Sequence, residues 1–251
     1  MSDIGRNRAI VTGASGGIGM AIVERLARDG LDICGCMRSE KPEVLERWAA
    51  WSKDYGVSIE PVYFDLADED GIKTAMEPIL KDKDHPISVL VNNAGVPYGA
   101  TAMMTPMKDL HEVMQVNFFG SIFLSQLVAK RMMRRKAGAI VNVASVGGIE
   151  TNPGYLAYGS SKAALIYATR VMAKELGATG VRVNAVAPGL TETPMGHFKS
   201  EDELEKVLAR TPMGRMAKPE EIASMVAYLV SDEAAYVTGQ VIAVDGGRSS
   251  G

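Results

Sequence analysis

Cysteine is nearly absent from this chain of 251 residues, which has only Cys34 and Cys36. Two cysteines build no disulfide framework, and with a single residue between them they are not a CxxC redox pair. Both fall in the strand-like run LDICGC, where alternation puts them on one face. The favoured reading is a pair of small buried hydrophobes. The histidines are as sparse: His85, His111 and His197 are scattered with no metal-ligand spacing, so no metal is expected. No run reaches the ~18 apolar residues that span a bilayer, and the opening MSDIGRNRAIVTG lacks the apolar segment of a secretory signal. The expectation is a cytoplasmic protein that binds no membrane. Basic charge is not in excess either; a net charge of −3 argues against a domain-wide footprint for nucleic acid. Local basic patches stay possible.

What the sequence does have is alternation. Short strand-like runs, RAIVT (8–12), LDICGC (31–36), SIEPVYF (58–64), ISVLVN (87–92), AIVNVA (139–144), VRVNAV (181–186) and QVIAVD (240–245), are separated by helical stretches at about 17–29, 43–55, 68–82, 108–135, 157–177 and 219–230. Several runs are almost continuously apolar, as strands buried on both faces must be. Such alternation predicts a parallel sheet with right-handed crossovers. The expected fold is α/β: one Rossmann-type, doubly wound domain over residues 1–251, with a seven-stranded parallel sheet and helices on both faces. One segment departs from the pattern. Residues 189–215 are polar, broken by Pro194 and Pro212, and contain one short amphipathic stretch. A long insertion late in a doubly wound sheet suits a substrate loop.

The first strand runs into Thr12-Gly13-Ala14-Ser15-Gly16-Gly17-Ile18-Gly19 and then an amphipathic helix. Glycines there permit a tight turn and close backbone approach to a pyrophosphate, whose charge sits at the helix N-terminus. The spacing is GxxxGxG rather than GxGxxG, and a turn that merely packs helix on sheet would read the same. Later, Tyr158-Gly-Ser-Ser-Lys162 opens a helix. Residues four apart share a helix face, and a nearby cation lowers a phenol from its ordinary ~10, toward acid–base work at neutrality. Alone, YxxxK describes many solvated helices. Ser145, however, ends AIVNVAS thirteen residues before Tyr158, at the C-terminal sheet edge where open α/β folds bind ligands. Asn92-Asn93-Ala94-Gly95 ends the fourth strand at that edge, and Asn117 lies in the helix that follows.

Taken in order, TGASGGIG, Asp65, NNAG, Asn117, Ser145, YGSSK, Pro188-Gly189 with Thr193, and Asp245-Gly246-Gly247 resemble the short-chain dehydrogenase/reductase family over essentially the whole chain. The resemblance implies a catalytic tetrad of Asn117, Ser145, Tyr158 and Lys162. Tyr158 would exchange a proton with the substrate oxygen, Ser145 orient that oxygen, Lys162 bind the nicotinamide ribose and polarise Tyr158, and Asn117 hold a relay water. It also implies cofactor contacts from Gly13, Ser15, Gly16, Gly17, Ile18 and Gly19, from Asp65 at the adenine, and from Leu66, Asn92, Ala94 and Gly95. Tyr158, Lys162, Pro188, Gly189, Thr191 and Thr193 would complete them, Thr193 at the nicotinamide carboxamide. Hydride comes from the cofactor, so the protein need supply only binding, orientation and a proton.

In members of the family that prefer NAD, an Asp commonly ends the second strand; here that position is Met37, followed by Arg38. An Arg suits a 2′-phosphate, which favours NADP(H) and leaves NAD(H) open. The segment GRMAKPEEIASMVAYLVSDEAAYVTGQVIAVDGG is similar to that of 3-oxoacyl-acyl carrier protein reductases, implying fatty acid biosynthesis and a carrier-bound carbonyl substrate. A sugar, polyol, steroid or other small carbonyl is the alternative. A non-catalytic NADP(H)-binding regulator is another, against which the intact Asn-Ser-Tyr-Lys set argues. Val96, Tyr98, Ile149, Tyr155 and Phe198 are the apolar candidates for a substrate pocket. The resemblance implies a homotetramer packed through the helices at 108–135 and 157–177, and Phe118, Phe119, Ile122, Phe123, Leu124, Leu127 and Val128 are too many for one buried face. Finally, Lys130, Arg131, Arg134, Arg135 and Lys136, with Lys174, form a basic patch suited to steering an acidic carrier protein. Cations favoured at a helix C-terminus account for the same run.

Overall fold

The computed structural model describes residues 7–194 and 200–249. Seven strands, β1 (Arg8–Thr12), β2 (Asp32–Met37), β3 (Ile59–Tyr63), β4 (Ile87–Asn92), β5 (Gly138–Val143), β6 (Val181–Pro188) and β7 (Val241–Val244), form one sheet in the order β3-β2-β1-β4-β5-β6-β7. Every pairing is parallel. The Rossmann-type sheet expected from the alternation is therefore present. Strand order reverses between β1 and β4, and the crevice at such a switch point is where open sheets bind ligands.

Side-chain alternation divides the core. Ala9 and Val11 face one layer with α1 (Gly17–Arg28), α2 (Pro42–Tyr55) and α8 (Pro219–Val230). Ile10 faces the other, with α3 (Glu69–Lys81), α5 (Ser121–Arg135) and the far end of α6 (Leu156–Leu176). Cys34 and Cys36 share this second layer, both fully buried, as their spacing requires. Burial pushes the Cys34 thiol up to about 12, so neither a thiolate nor redox chemistry is favoured there.

One expected helix is not continuous. Where a single element over 108–135 was anticipated, α4 (Met107–Met114) is followed by a π-helical segment, Gln115–Gly120, before α5 begins. A π segment widens the helix by one residue per turn, a distortion that apolar periodicity does not register. The packing shows what presses on it: a Cβ at Gly120 would stand 2.2 Å from the Leu66 carbonyl oxygen. In the late insertion, the short amphipathic stretch forms α7 (Glu201–Ala209). No helix among the described residues is long and apolar enough to cross a membrane.

Candidate functional site

The turns that leave β1 and β4 meet in the crevice. Gly13 has φ 63°, and a Cβ there would lie 2.9 Å from Ala94 Cα. Thr12 Oγ1 accepts hydrogen bonds from the Asn93 and Ala94 amides at 3.0 Å, and Asn93 Nδ2 donates to the Thr12 and Gly13 carbonyls. Gly19 comes closer still, its absent Cβ pointing at the Gly13 carbonyl 2.1 Å away. The glycines thus draw α1 onto the turn. At its start, α1 has no side-chain cap and no acid in the first turn, and Gly16 faces open space. Uncapped amides with room in front of them fit the pyrophosphate of a dinucleotide. The Thr193 methyl lies 3.1 Å from the place a Cβ on Gly17 would occupy, which sets the loop after β6 over the cradle. Pro188 ends β6; Gly189 donates its amide to Val244, and Thr191, buried, donates to the Gly189 carbonyl.

A second cluster stands at the end of β5. Ser145 Oγ accepts the Gly147 amide at 3.1 Å and is near enough to Tyr158 to draw its phenol down. Three glycines allow this closeness: a Cβ would meet Tyr155 at Gly147, the Lys162 backbone at Gly148 and the Gly147 carbonyl at Gly159, all within 3.0 Å. One turn along α6, the buried Lys162 ammonium donates to the Val143 carbonyl at 2.9 Å and lies 5.8 Å from the centre of the Tyr158 ring. With no carboxylate among these contacts, burial lowers Lys162 to about 8. Tyr158 moves the other way: burial raises the phenol, Ser145 draws it down, and the net direction is upward. Lys162, 5.8 Å from the ring centre, is not among the groups that set this direction.

Asn117 is fully buried in the π segment. Its Oδ1 accepts from the Val96 amide at 2.7 Å, while Nδ2 donates to the Val96 carbonyl and to Ser161 Oγ. Both Nδ2 hydrogens are used, so this side chain positions the loop, and a relay water would have to meet the main chain. Gly95 closes the arrangement, since a Cβ there would stand 3.1 Å from Asn117 Oδ1 and 3.3 Å from Lys162 Nζ. The tetrad therefore converges.

Other expectations fare unevenly. Asn92 turns its side chain inward, donating to Ser125 and Asn142 in the core, and the neighbouring Asn93 ties the turn. Asp65 is exposed beyond β3 with Oδ1 on the Ala67 amide, and Leu66 is buried against the π segment. Arg38 is exposed just past Met37, and the sequence reading missed its companion: Lys41, at the start of α2, donates to Ser15 Oγ at 3.2 Å. Of the pocket candidates, Tyr155 lines a cavity of about 460 Å³. Val96 is occupied with Asn117, Tyr98 hydrogen-bonds Asp109, Ile149 is exposed, and none of these three is in its described lining. Phe198 and His197 lie outside the described residues. Among those described, no cluster suited to a metal ion occurs.

A family profile described as enoyl-(acyl carrier protein) reductase matches residues 13–249. The 3-oxoacyl-acyl-carrier-protein reductase FabG of Thermotoga maritima is 41% identical over 239 residues, 95% of this chain and 96% of the relative. The FabG of Escherichia coli is 36% identical over 95% of this chain and 96% of its own. The chain belongs to the short-chain dehydrogenase/reductase family. Solved members superpose closely: a candidate NAD(P)-dependent gluconate 5-dehydrogenase from Beutenbergia cavernae, holding NADP at low occupancy, has TM-score 0.91 and 36% identity, covering 99% of this chain and 98% of that one. A variant actinorhodin polyketide ketoreductase with NADPH has TM-score 0.88 and 34% identity, covering 97% of each. As a short-chain dehydrogenase/reductase, the protein is a nicotinamide-dependent oxidoreductase that interconverts alcohols and ketones.

Proposed function

We propose that the protein is an NADP(H)-dependent reductase of 3-oxoacyl groups carried on acyl carrier protein. The observation that carries the chemistry is the contact set Ser145–Tyr158–Lys162 at the end of β5, beside a glycine cradle with uncapped helix amides. The nicotinamide supplies the hydride. Tyr158, a phenol that is protonated at neutral pH, gives its proton to the carbonyl oxygen, and Ser145 is placed to bond that same oxygen. Lys162 sits where its ammonium can hold a ribose hydroxyl while staying fixed by Val143, and Asn117 holds Val96 and Ser161 in register around it. NADP(H) is favoured over NAD(H) because the rim of the cradle carries Arg38, Lys41 and Ser15 and no carboxylate ends β2. A 2′-phosphate meets two cations and a hydroxyl there.

The carrier-bound substrate is supported by the FabG relatives, which align over 95% of the chain. A second reading, oxidation and reduction of a small sugar acid, is favoured by the gluconate dehydrogenase neighbour and by the cations that line the cavity beside Tyr155. Loss of NADPH absorbance on mixing with 3-oxoacyl carrier protein, and separately with 5-oxogluconate, tests both. Turnover of the carrier substrate is expected; turnover of the sugar acid alone would replace the first reading by the second. Tyr158→Phe should lower turnover at least ~100-fold, the lower range for a lost general acid, while NADPH still binds. Near-native turnover would remove Tyr158 from the mechanism.

A further inference from the structure

The cavity beside Tyr155 has an unusual wall. From α7 and the residue after it come Lys206 and Arg210, one helical turn apart; from the C-terminal segment comes Arg248; from the loop after β5 comes Asn152. Among the described residues, neither Lys206 nor Arg210 has an ion-pair partner. Arg248 is held by Glu150, Nε to Oε2 at 3.3 Å, which aims its guanidinium and offsets one charge of three. Like charges one turn apart destabilise a helix, so the arrangement is not there for stability. The helix dipole favours cations at the end of α7, but it explains neither Arg248, brought from the far end of the chain, nor Asn152, whose buried Nδ2 has no hydrogen-bond partner. Three cations thus line one cavity, and a single carboxylate, Glu150, offsets them.

We propose that this cavity is an anion subsite, holding a carboxylate or phosphate that belongs to the carbonyl substrate. The inference rests on the reading of the protein as a ketone reductase. Tyr155 joins the subsite to the chemistry: its ring meets that of Tyr158 edge to face, centroids 5.9 Å apart, and Ser145 and Gly147 lie behind it. A cavity of about 460 Å³ admits a short acid or part of a phosphorylated arm, within the ordinary range for ligand sites. The anion fixes one end of the substrate and leaves the ketone at Tyr158.

The test uses two matched pairs: 3-oxobutyrate against its neutral ethyl ester, and the 3-oxobutyryl thioester of pantetheine 4′-phosphate against that of pantetheine. In steady-state NADPH oxidation, the anionic member of one pair should have the lower KM, by about tenfold or more, the scale of a charge-assisted hydrogen bond. The pair that shows it tells carboxylate from phosphate. Lys206→Gln/Arg210→Gln should remove most of that preference, read as the ratio of kcat/KM within the pair. An unchanged ratio in both pairs overturns the subsite. Calorimetric titration of 3-oxobutyrate and of inorganic phosphate gives a readout that needs no turnover: affinity weakened in the double variant supports the subsite, and equal affinity overturns it. If no ketone is reduced at all, the functional reading fails, and the calorimetry still decides on the anion.

Discussion

Lys162 is a buried cation whose ammonium meets a carbonyl and the face of a ring where a carboxylate would be expected. That arrangement sets a pH dependence of stability. Its pKa is about 8 in the folded protein against 10.5 for a free lysine. Below pH 8 the ion is charged in both states, and the fold bears the whole burial cost, about 3 kcal/mol at 1.36 kcal/mol per pH unit. Between pH 8 and 10.5 the folded state releases its proton first, so stability from this group rises with pH. The two thiols oppose it, since burial raises both and the fold loses stability as unfolded thiols ionise from pH 9 upward. Comparing the wild type with Lys162→Met cancels the thiols. In denaturant melts, the advantage of the variant at pH 7 should shrink by about 2 kcal/mol by pH 9.5, and a constant difference would show that Lys162 is not a buried charge. Arg38 and Lys41 give a second prediction at this scale. Arg38→Ala and Lys41→Ala should each raise the KM for NADPH about tenfold or more, as loss of a charge-assisted bond does, with NADH far less affected. Equal losses in the kinetics of both cofactors would take the pair out of phosphate recognition.

Among the elements, the π segment between α4 and α5 does the most to arrange the site, because it carries Asn117 into contact with Val96 and Ser161. Its packing on Leu66 depends on Gly120. Gly120→Ala should cost about 1–3 kcal/mol, the usual price of overpacking, and lower turnover because Asn117 lies one turn away. Gly177→Ala is the contrast: Gly177 has helical angles, φ −55° and ψ −42°, and open space for a methyl, so about 0.4–1 kcal/mol of stabilisation is expected. Thermal melts of both variants decide. These two glycines also show what was legible beforehand. The seven parallel strands and the tetrad could be read because apolar runs and motif spacing are local, and Ser145, Tyr158 and Lys162 are brought together by one strand and one helix. The π segment was not legible, since what presses on it is a main-chain carbonyl from beyond β3. Lys41 escaped because its partner Ser15 is 26 residues away and only the β1–β2 pairing brings them together.

For the whole molecule, the open matter is what covers α5 and α6. Leu124 and Val128 are buried and Phe123 lies under the Lys73 ammonium at 5.4 Å, so the apolar surplus expected of α5 is partly absorbed within the chain. Phe119 stays half exposed, and on α6 Tyr167 is 71% exposed with Val171 beside it one turn on. Aromatic side chains left in solvent on the π segment that leads into α5 and on α6 favour a symmetric, self-complementary contact, and a homotetramer is the expected state. The exposed Lys130 and Lys174 lie on these same two helices, which sets assembly against carrier docking. Part of the basic run is structural: Arg135 donates to the Ile87 carbonyl at 3.4 Å, and Lys136 closes α5 with φ 54°. The end of α5 also sits where β5 begins, whereas Ser145 follows the other end of that strand, about 20 Å away at ~3.3 Å per residue. A carrier seated there must deliver its acyl group along a full strand, or to a neighbouring subunit. Light scattering separates the two roles. Tyr167→Asp should lower the mass from that of a tetramer, because a carboxylate replaces the most exposed ring of the stripe. Lys130→Glu/Lys174→Glu should keep the tetramer, slow reduction of the carrier-bound substrate, and flatten its dependence on salt. If the charge reversal changes the mass while both carrier-bound and carrier-free thioesters slow equally, the cations belong to the assembly, and the anion of the substrate is met at the cavity beside Tyr155 alone.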